Sequence, residues 1–212
     1  MRLFLSSQGI TPHAEALLRL VGANRKTAFI NNAKDDIDPA ERAAHTQQKL
    51  VDYTAYGLEP FELDLRNYFT DNSRLIDVLK GVGLVWLSGG NTFILRRALA
   101  QSGLDKWLVA NLKNDTVAYG GSSAGAIIPT PSLHGTEHGD EPNSVPAGYS
   151  SDIIWEGLNL VPFYVIPHYD SDWFGGDAAA MERHMKNEQL TYNLLRDGEA
   201  IVVNGDETEL LK

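Results

Sequence analysis

Apolar residues in the first part of the chain fall into short runs, separated by longer stretches in which they recur at helical spacing. The run 2–6 predicts a first strand that ends in the turn cluster Ser7-Gln8-Gly9. Thr11-Pro12 sets a helix start, and Leu17, Leu18, Leu20 and Val21 give that helix an apolar face. A second strand is expected over 27–30 and a helix over 41–56. An alternating third strand follows over 60–65, then a short helix over 73–80 and a fourth strand over 84–87. The fourth strand runs into Ser88-Gly89-Gly90-Asn91-Thr92-Phe93, with Asn91 or Thr92 as the cap of a helix that turns Ile94, Leu95, Ala98 and Leu99 inward. A helix over 104–112 leads to a further buried strand and the small-residue turn around Ser123.

The pattern dissolves over 129–150, where prolines and glycines punctuate a polar stretch that reads as a binding or lid loop. Order returns with a buried strand that stops at Pro167, immediately before His168. A helix is expected over 178–187, a short helix over 191–195, a final central strand over 200–203 and a terminal strand over 209–211. Repeated strand–helix alternation predicts an α/β fold with a doubly wound, mostly parallel sheet covered on both faces. Ligands of such sheets sit outside the carboxyl ends of the strands. Both glycine turns, at 89–90 and at 120–121, end strands in this way and belong to one rim.

Composition narrows the class. The chain has 212 residues, 43% hydrophobic and 22% charged, with no internal repeat or evident linker, so it reads as a single catalytic domain over 1–212. A formal net charge of -10 argues against a nucleic-acid partner or an anionic membrane surface. The absence of cysteine removes disulfides, thiolate metal sites and a Cys nucleophile together. No run suits a signal peptide or a membrane span, which makes the cytoplasm the expected location.

The chemistry concentrates in a few places. Gly121-Ser122-Ser123-Ala124-Gly125 reads G-x-S-x-G, the pattern of a serine on a sharp strand-to-helix turn, although a small-residue, phosphate-cradling loop fits the same letters. In the first reading the turn exposes the Ser123 hydroxyl and frees the Ala124 N–H at a helix start. The acidic loop with Asp35, Asp36 and Asp38 matches no calcium-loop spacing and reads as a solvated helix entry. His134, His138, Asp140 and Glu141 lie in a segment without helical period to bring them to one face, so no metal is expected there, and no cofactor elsewhere. His168 at a strand's carboxyl end is placed to reach a neighbouring turn, and Asp206 or Glu207 after the 200–203 strand is eligible as the acid that orients it. The order Ser, His, acid differs from that of α/β-hydrolases.

These residues together resemble the peptidase E (aspartyl dipeptidase) and cyanophycinase group of serine peptidases. The resemblance rests on Gly89-Gly90-Asn91-Thr92-Phe93, Gly121-Ser122-Ser123-Ala124-Gly125-Ala126, Ile166-Pro167-His168-Tyr169 and Asp206-Glu207. It implies a flavodoxin-like, class I glutamine-amidotransferase-like fold with Ser123 as nucleophile, His168 as base and Glu207 as orienting acid. Asp206 and Asp140 are the alternative acids, and the N–H groups of Gly90 and Ala124 the oxyanion donors. The implied substrate is a small peptide, a dipeptide with N-terminal Asp before a β-aspartyl, cyanophycin-like linkage, handled by a monomer or homodimer. Ser122 stands where aspartyl dipeptidases often carry a bulky aromatic, and the 134–149 loop is unlike theirs, so the reaction type transfers better than the specificity. The cations nearest the rim in sequence are Arg183 and Lys186. A small-anion-binding domain without covalent chemistry is the competing reading of the two glycine turns.

Overall fold

The computed structural model describes residues 1–212. Its strands are β1 (Arg2–Ser6), β2 (Lys26–Ile30), β3 (Glu59–Glu62), β4 (Leu84–Leu87), β5 (Ala118–Ser122), β6 (Tyr164–Ile166), β7 (Tyr192–Leu194), β8 (Ala200–Asn204) and β9 (Glu207–Leu211). Seven form one sheet in the order β3-β2-β4-β5-β1-β8-β9. The pairs β2–β3, β2–β4, β4–β5 and β1–β5 are parallel, whereas β8 runs antiparallel to both β1 and β9. The expected mostly parallel α/β sheet is therefore present, with an antiparallel hairpin added at one edge.

Strand alternation sorts the core into two layers. Leu3, Leu5, Ala28, Ile30, Val85, Leu87 and Tyr119 point to one face. That face is covered by α3 (Leu75–Leu79), α4 (Thr92–Ser102) and α5 (Leu104–Lys113). Phe4, Phe29, Leu84, Trp86, Ala118 and Ala200 point to the other, under α1 (Ala14–Val21) and α2 (Pro39–Ala55). Trp86 is fully buried there and meets Tyr53 edge-on at 5.1 Å between ring centroids. Gly120 on the neighbouring strand makes the room, since a Cβ there would lie 2.3 Å from the indole.

Several boundaries differ from the sequence reading. The first helix begins at Ala14 rather than at Thr11-Pro12, with His13 as a cap that makes no side-chain bond. Asp38 caps α2 by accepting from the Ala40 and Glu41 N–H groups, which places Pro39 inside the helix. The 191–195 stretch is not a helix: β7 pairs in parallel with β6 as a separate two-stranded sheet. The strand before His168 thus lies beside the main sheet, and α7 (Gly175–Asn187) packs with it through Ala178, Met181 and Met185 against Phe93, Ile127 and Ile166.

The 129–150 loop is strapped down by polar side chains of α4. Arg97, fully buried, donates to the carbonyls of Pro142, Ser144 and Asp152 at 2.7, 3.2 and 2.9 Å. Asn91 caps α4 by accepting from Phe93 and Ile94 N–H and donates its amide to the Glu141 carbonyl at 2.9 Å. These part-buried bonds tie the loop to a buried guanidinium and to the cap of α4.

Candidate active site

The β5 strand is flanked by β4 and β1, and its carboxyl end delivers the chain to Ser123 at the centre of the sheet rim. Ser123 has φ 53° and ψ -115°, a conformation that L-residues rarely adopt, held by a 3.1 Å bond from its own N–H to the Ser6 carbonyl. The turn closes because its neighbours lack side chains. A Cβ on Gly121 would meet the Gly125 carbonyl at 2.2 Å, and one on Gly125 would meet the Leu87 carbonyl at 2.2 Å. The short helix α6 (Ala124–Ile127) starts at once, so the Ala124 N–H has no intrahelical acceptor.

The second glycine turn packs directly on this one. A Cβ on Gly89 would lie 2.9 Å from Ser123 Cβ. Gly90 has φ 144°, and its Cβ position would fall 2.4 Å from the Ala33 carbonyl, which accepts the Asn91 N–H at 2.7 Å. Two small-residue turns from adjacent strands therefore bring Gly89, Gly90, Ser122 and Ser123 to one wall of a 490 Å³ cleft.

His168 lines the same cleft from the end of β6 and is itself at a positive φ of 58°. Its side chain is 4% exposed. Nδ1 faces Asp197 Oδ1 at 2.6 Å, and the same carboxylate oxygen accepts the Ser7 hydroxyl at 2.7 Å. Ser7 Oγ in turn accepts the His168 backbone N–H at 2.8 Å. With Nδ1 committed to a carboxylate, Nε2 is the ring nitrogen left for chemistry. Trp173 lies over the imidazole at 4.4 Å between centroids, with Phe174 at 5.6 Å.

The acids expected from sequence lie elsewhere. Glu207 begins β9 opposite Asn204 on the exposed hairpin, and Asp206 sits in the turn before it, so neither bonds His168. Asp140 lines the cleft, yet its Oδ2 accepts the Thr92 N–H at 2.9 Å and the Thr92 hydroxyl at 2.6 Å, as a brace for the start of α4. Burial pushes its carboxyl above the ordinary range, against those bonds. The carboxylate that does face His168 is Asp197, in the turn between β7 and β8, a residue that sequence reasoning did not single out.

The histidines and cations of the rim also separate. His134 stacks on Trp155 at 4.3 Å, while His138 faces His184 at 6.2 Å. Lys186 pairs with Glu182 at 2.9 Å on its own helix. The basic side chains that do line the cleft are Lys34, His45 and Lys49, together with His168. No helix is long and apolar enough to cross a membrane.

Comparison with known proteins bears on this arrangement. Residues 3–211 match the model of Peptidase family S51. The chain is 28% identical over 195 residues to an uncharacterized peptidase of Pasteurella multocida (strain Pm70), covering 89% of this chain and 86% of that protein. It is 29% identical over 160 residues to a protein of Drosophila melanogaster named "Probable alpha-aspartyl dipeptidase", covering 73% of this chain and 63% of that one. Among solved structures it is similar to one assigned to peptidase E from Listeria monocytogenes EGD-e. The TM-score is 0.75 at 22% identity, over 100% of this chain and 98% of that chain, a likeness of fold.

Proposed function

We propose, for a chain that belongs to peptidase family S51 and is a serine peptidase, that Ser123, His168 and Asp197 are its catalytic triad. The observation that carries this reading is the opening of the Ser123 turn and of His168 into one cleft, with Asp197 bonded to the far side of the imidazole. Ser123 Oγ attacks the scissile carbonyl while His168 Nε2 takes the hydroxyl proton. Asp197 holds the proton on Nδ1 and stabilises the imidazolium that forms. The Ala124 N–H and the Gly90 N–H donate to the oxygen that becomes negative, a contribution usually worth about 2.7–4 kcal/mol per donor. His168 then hands the proton to the leaving amine, and water repeats the sequence on the acyl-enzyme.

The substrate we infer is a dipeptide with an N-terminal aspartate. The cationic wall of the cleft and the name carried by the Drosophila relative support that choice. The test is hydrolysis of Asp-Leu, Glu-Leu and Leu-Leu by the wild type and by Ser123→Ala. Turnover of Asp-Leu that vanishes in the variant is the expected result. Equal turnover by both proteins would remove Ser123 from the reaction, and a preference for Leu-Leu would remove the acidic specificity.

A further inference from the structure

Of the two lysines that line the cleft, Lys49 contacts Asp52, and Lys34 has no ion-pair partner. It ends the single 3-10 turn Asn32–Lys34 that follows β2, lines the cleft, and has no carboxylate oxygen within 4.0 Å of its Nζ. The acid next to it is spent elsewhere. Asp35 has a fully buried carboxylate that binds Arg42, the Tyr149 hydroxyl and the Asn32 amide. The backbone at Lys34 is held beside the cleft, because the neighbouring Ala33 carbonyl accepts the Asn91 N–H of the Gly90 turn.

Two further residues come to the same wall from one face of α2, four apart. Lys49 has only a 3.6 Å contact to Asp52 on its own helix. His45 accepts at Nδ1 from the Asn31 amide at 3.3 Å, and that orientation of the amide is set by neighbours. Thr46 gives its hydroxyl hydrogen to the Arg42 carbonyl and so accepts the other Asn31 N–H, while Ser88 donates to Asn31 Oδ1. His45 is thereby neutral with its proton on Nε2, and its pKa is lowered to about 4 by burial first and then by the charges of Lys34 and Lys49. Two ammonium groups act on one ring, Asp52 offsets them only in part, and the one carboxylate that lines the cleft, Asp140, is taken up by the Thr92 N–H and hydroxyl.

We propose that Lys34 and Lys49, assisted by His45, form a subsite for a carboxylate group of the peptide substrate. The proposal rests on the peptidase reading above for the identity of the ligand. The carboxylate has two sources in a short acidic peptide, the N-terminal aspartyl side chain and the free C-terminus. Both are recognised by the same chemistry, charge-assisted bonds in a cleft partly closed to water. A subsite of this kind favours peptides that carry a carboxylate into the same cleft as the scissile bond.

The experiment reads binding rather than turnover, so that it stands apart from the triad. Calorimetry on Ser123→Ala, with and without Lys34→Gln and Lys49→Gln together, is run with Asp-Leu, Asn-Leu, Asp-Leu-amide and Asn-Leu-amide. Asp-Leu should bind at least about ten-fold more weakly after the lysine changes, as loss of charge-assisted bonds predicts, with Asn-Leu-amide unaffected. A loss retained by Asp-Leu-amide assigns the side chain, and one retained by Asn-Leu assigns the C-terminus. Equal change for all four peptides, no change for any, or no binding of Asp-Leu to the parent would overturn the subsite. Wild-type protein that binds Asp-Leu through the lysines but fails to hydrolyse it would leave the subsite standing and sink the Asp-dipeptide reading of the substrate instead.

Discussion

Ser7 and Asp197 meet behind His168: the Ser7 hydroxyl donates to Asp197 Oδ1 at 2.7 Å and accepts the His168 backbone N–H at 2.8 Å. One fully buried hydroxyl at the end of β1 thus ties the imidazole's main chain to the carboxylate that faces its Nδ1. Ser7 is fully buried, and its part is to position. Ser7→Ala is expected to lower kcat about ten-fold or more while KM changes less than two-fold, the scale of one lost hydrogen bond to a charged group. Steady-state kinetics check this. A change confined to KM would place Ser7 in substrate binding.

Gly89 tests how closely the two turns must pack. An alanine there places its Cβ 2.9 Å from Ser123 Cβ and 3.4 Å from both the Ser122 carbonyl and Ser123 Oγ. The Ser123 backbone is pinned to Ser6 and cannot retreat freely. Gly89→Ala should therefore cost about 10²-fold in kcat/KM, as misplacement of a reacting group by about 1 Å does. Thermal unfolding should move by only a few degrees. Unaltered kinetics would mean that the turn gives way without moving Ser123.

His45 makes stability depend on pH in a stated direction. Its folded pKa is lowered to about 4 from the ordinary 6.5, so between those values the unfolded chain binds a proton that the folded chain refuses. Stability from this source is present above pH 6.5 and is lost as the pH falls towards about 4. Lys34 and Lys49 work in that direction and Asp52 against it. Urea unfolding at pH 7 and pH 5 should show a smaller loss for His45→Gln than for the wild type. Equal slopes would remove His45 from the acid sensitivity.

The sequence carried the Ser123 turn legibly because its geometry demands small residues. A Cβ on Gly121 or on Gly125 would lie 2.2 Å from a backbone carbonyl oxygen, and that constraint shows directly as letters. The sheet was legible for a related reason, since Leu3 and Leu5 against Phe4, or Val85 and Leu87 against Leu84 and Trp86, record which face each residue buries. Asp197 was not legible. Its position depends on β7 pairing with β6 in the register Tyr164 to Tyr192 and Ile166 to Leu194, which carries the next residues past His168. Once 191–195 is read as a helix, that register disappears, and Arg196-Asp197-Gly198-Glu199 looks like an ordinary polar turn. The cationic wall was hidden too, because Lys34, His45 and Lys49 meet the cleft only through the packing of α2 and the 3-10 turn beside Gly90.

The central claim, that Ser123 is driven by His168 held on Asp197, is tested most directly by the rate of fluorophosphonate modification, mapped by peptide mass spectrometry. The proteins to compare are the wild type, Asp197→Asn and Glu207→Gln. The account predicts modification at Ser123, with Glu207→Gln reacting within about two-fold of the wild type. Asp197→Asn should react at least about 10²-fold more slowly, in keeping with the loss of roughly 10⁴ seen when a triad carboxylate becomes an amide. Modification at a different serine, or slowing by Glu207→Gln with Asp197→Asn unaffected, would contradict it.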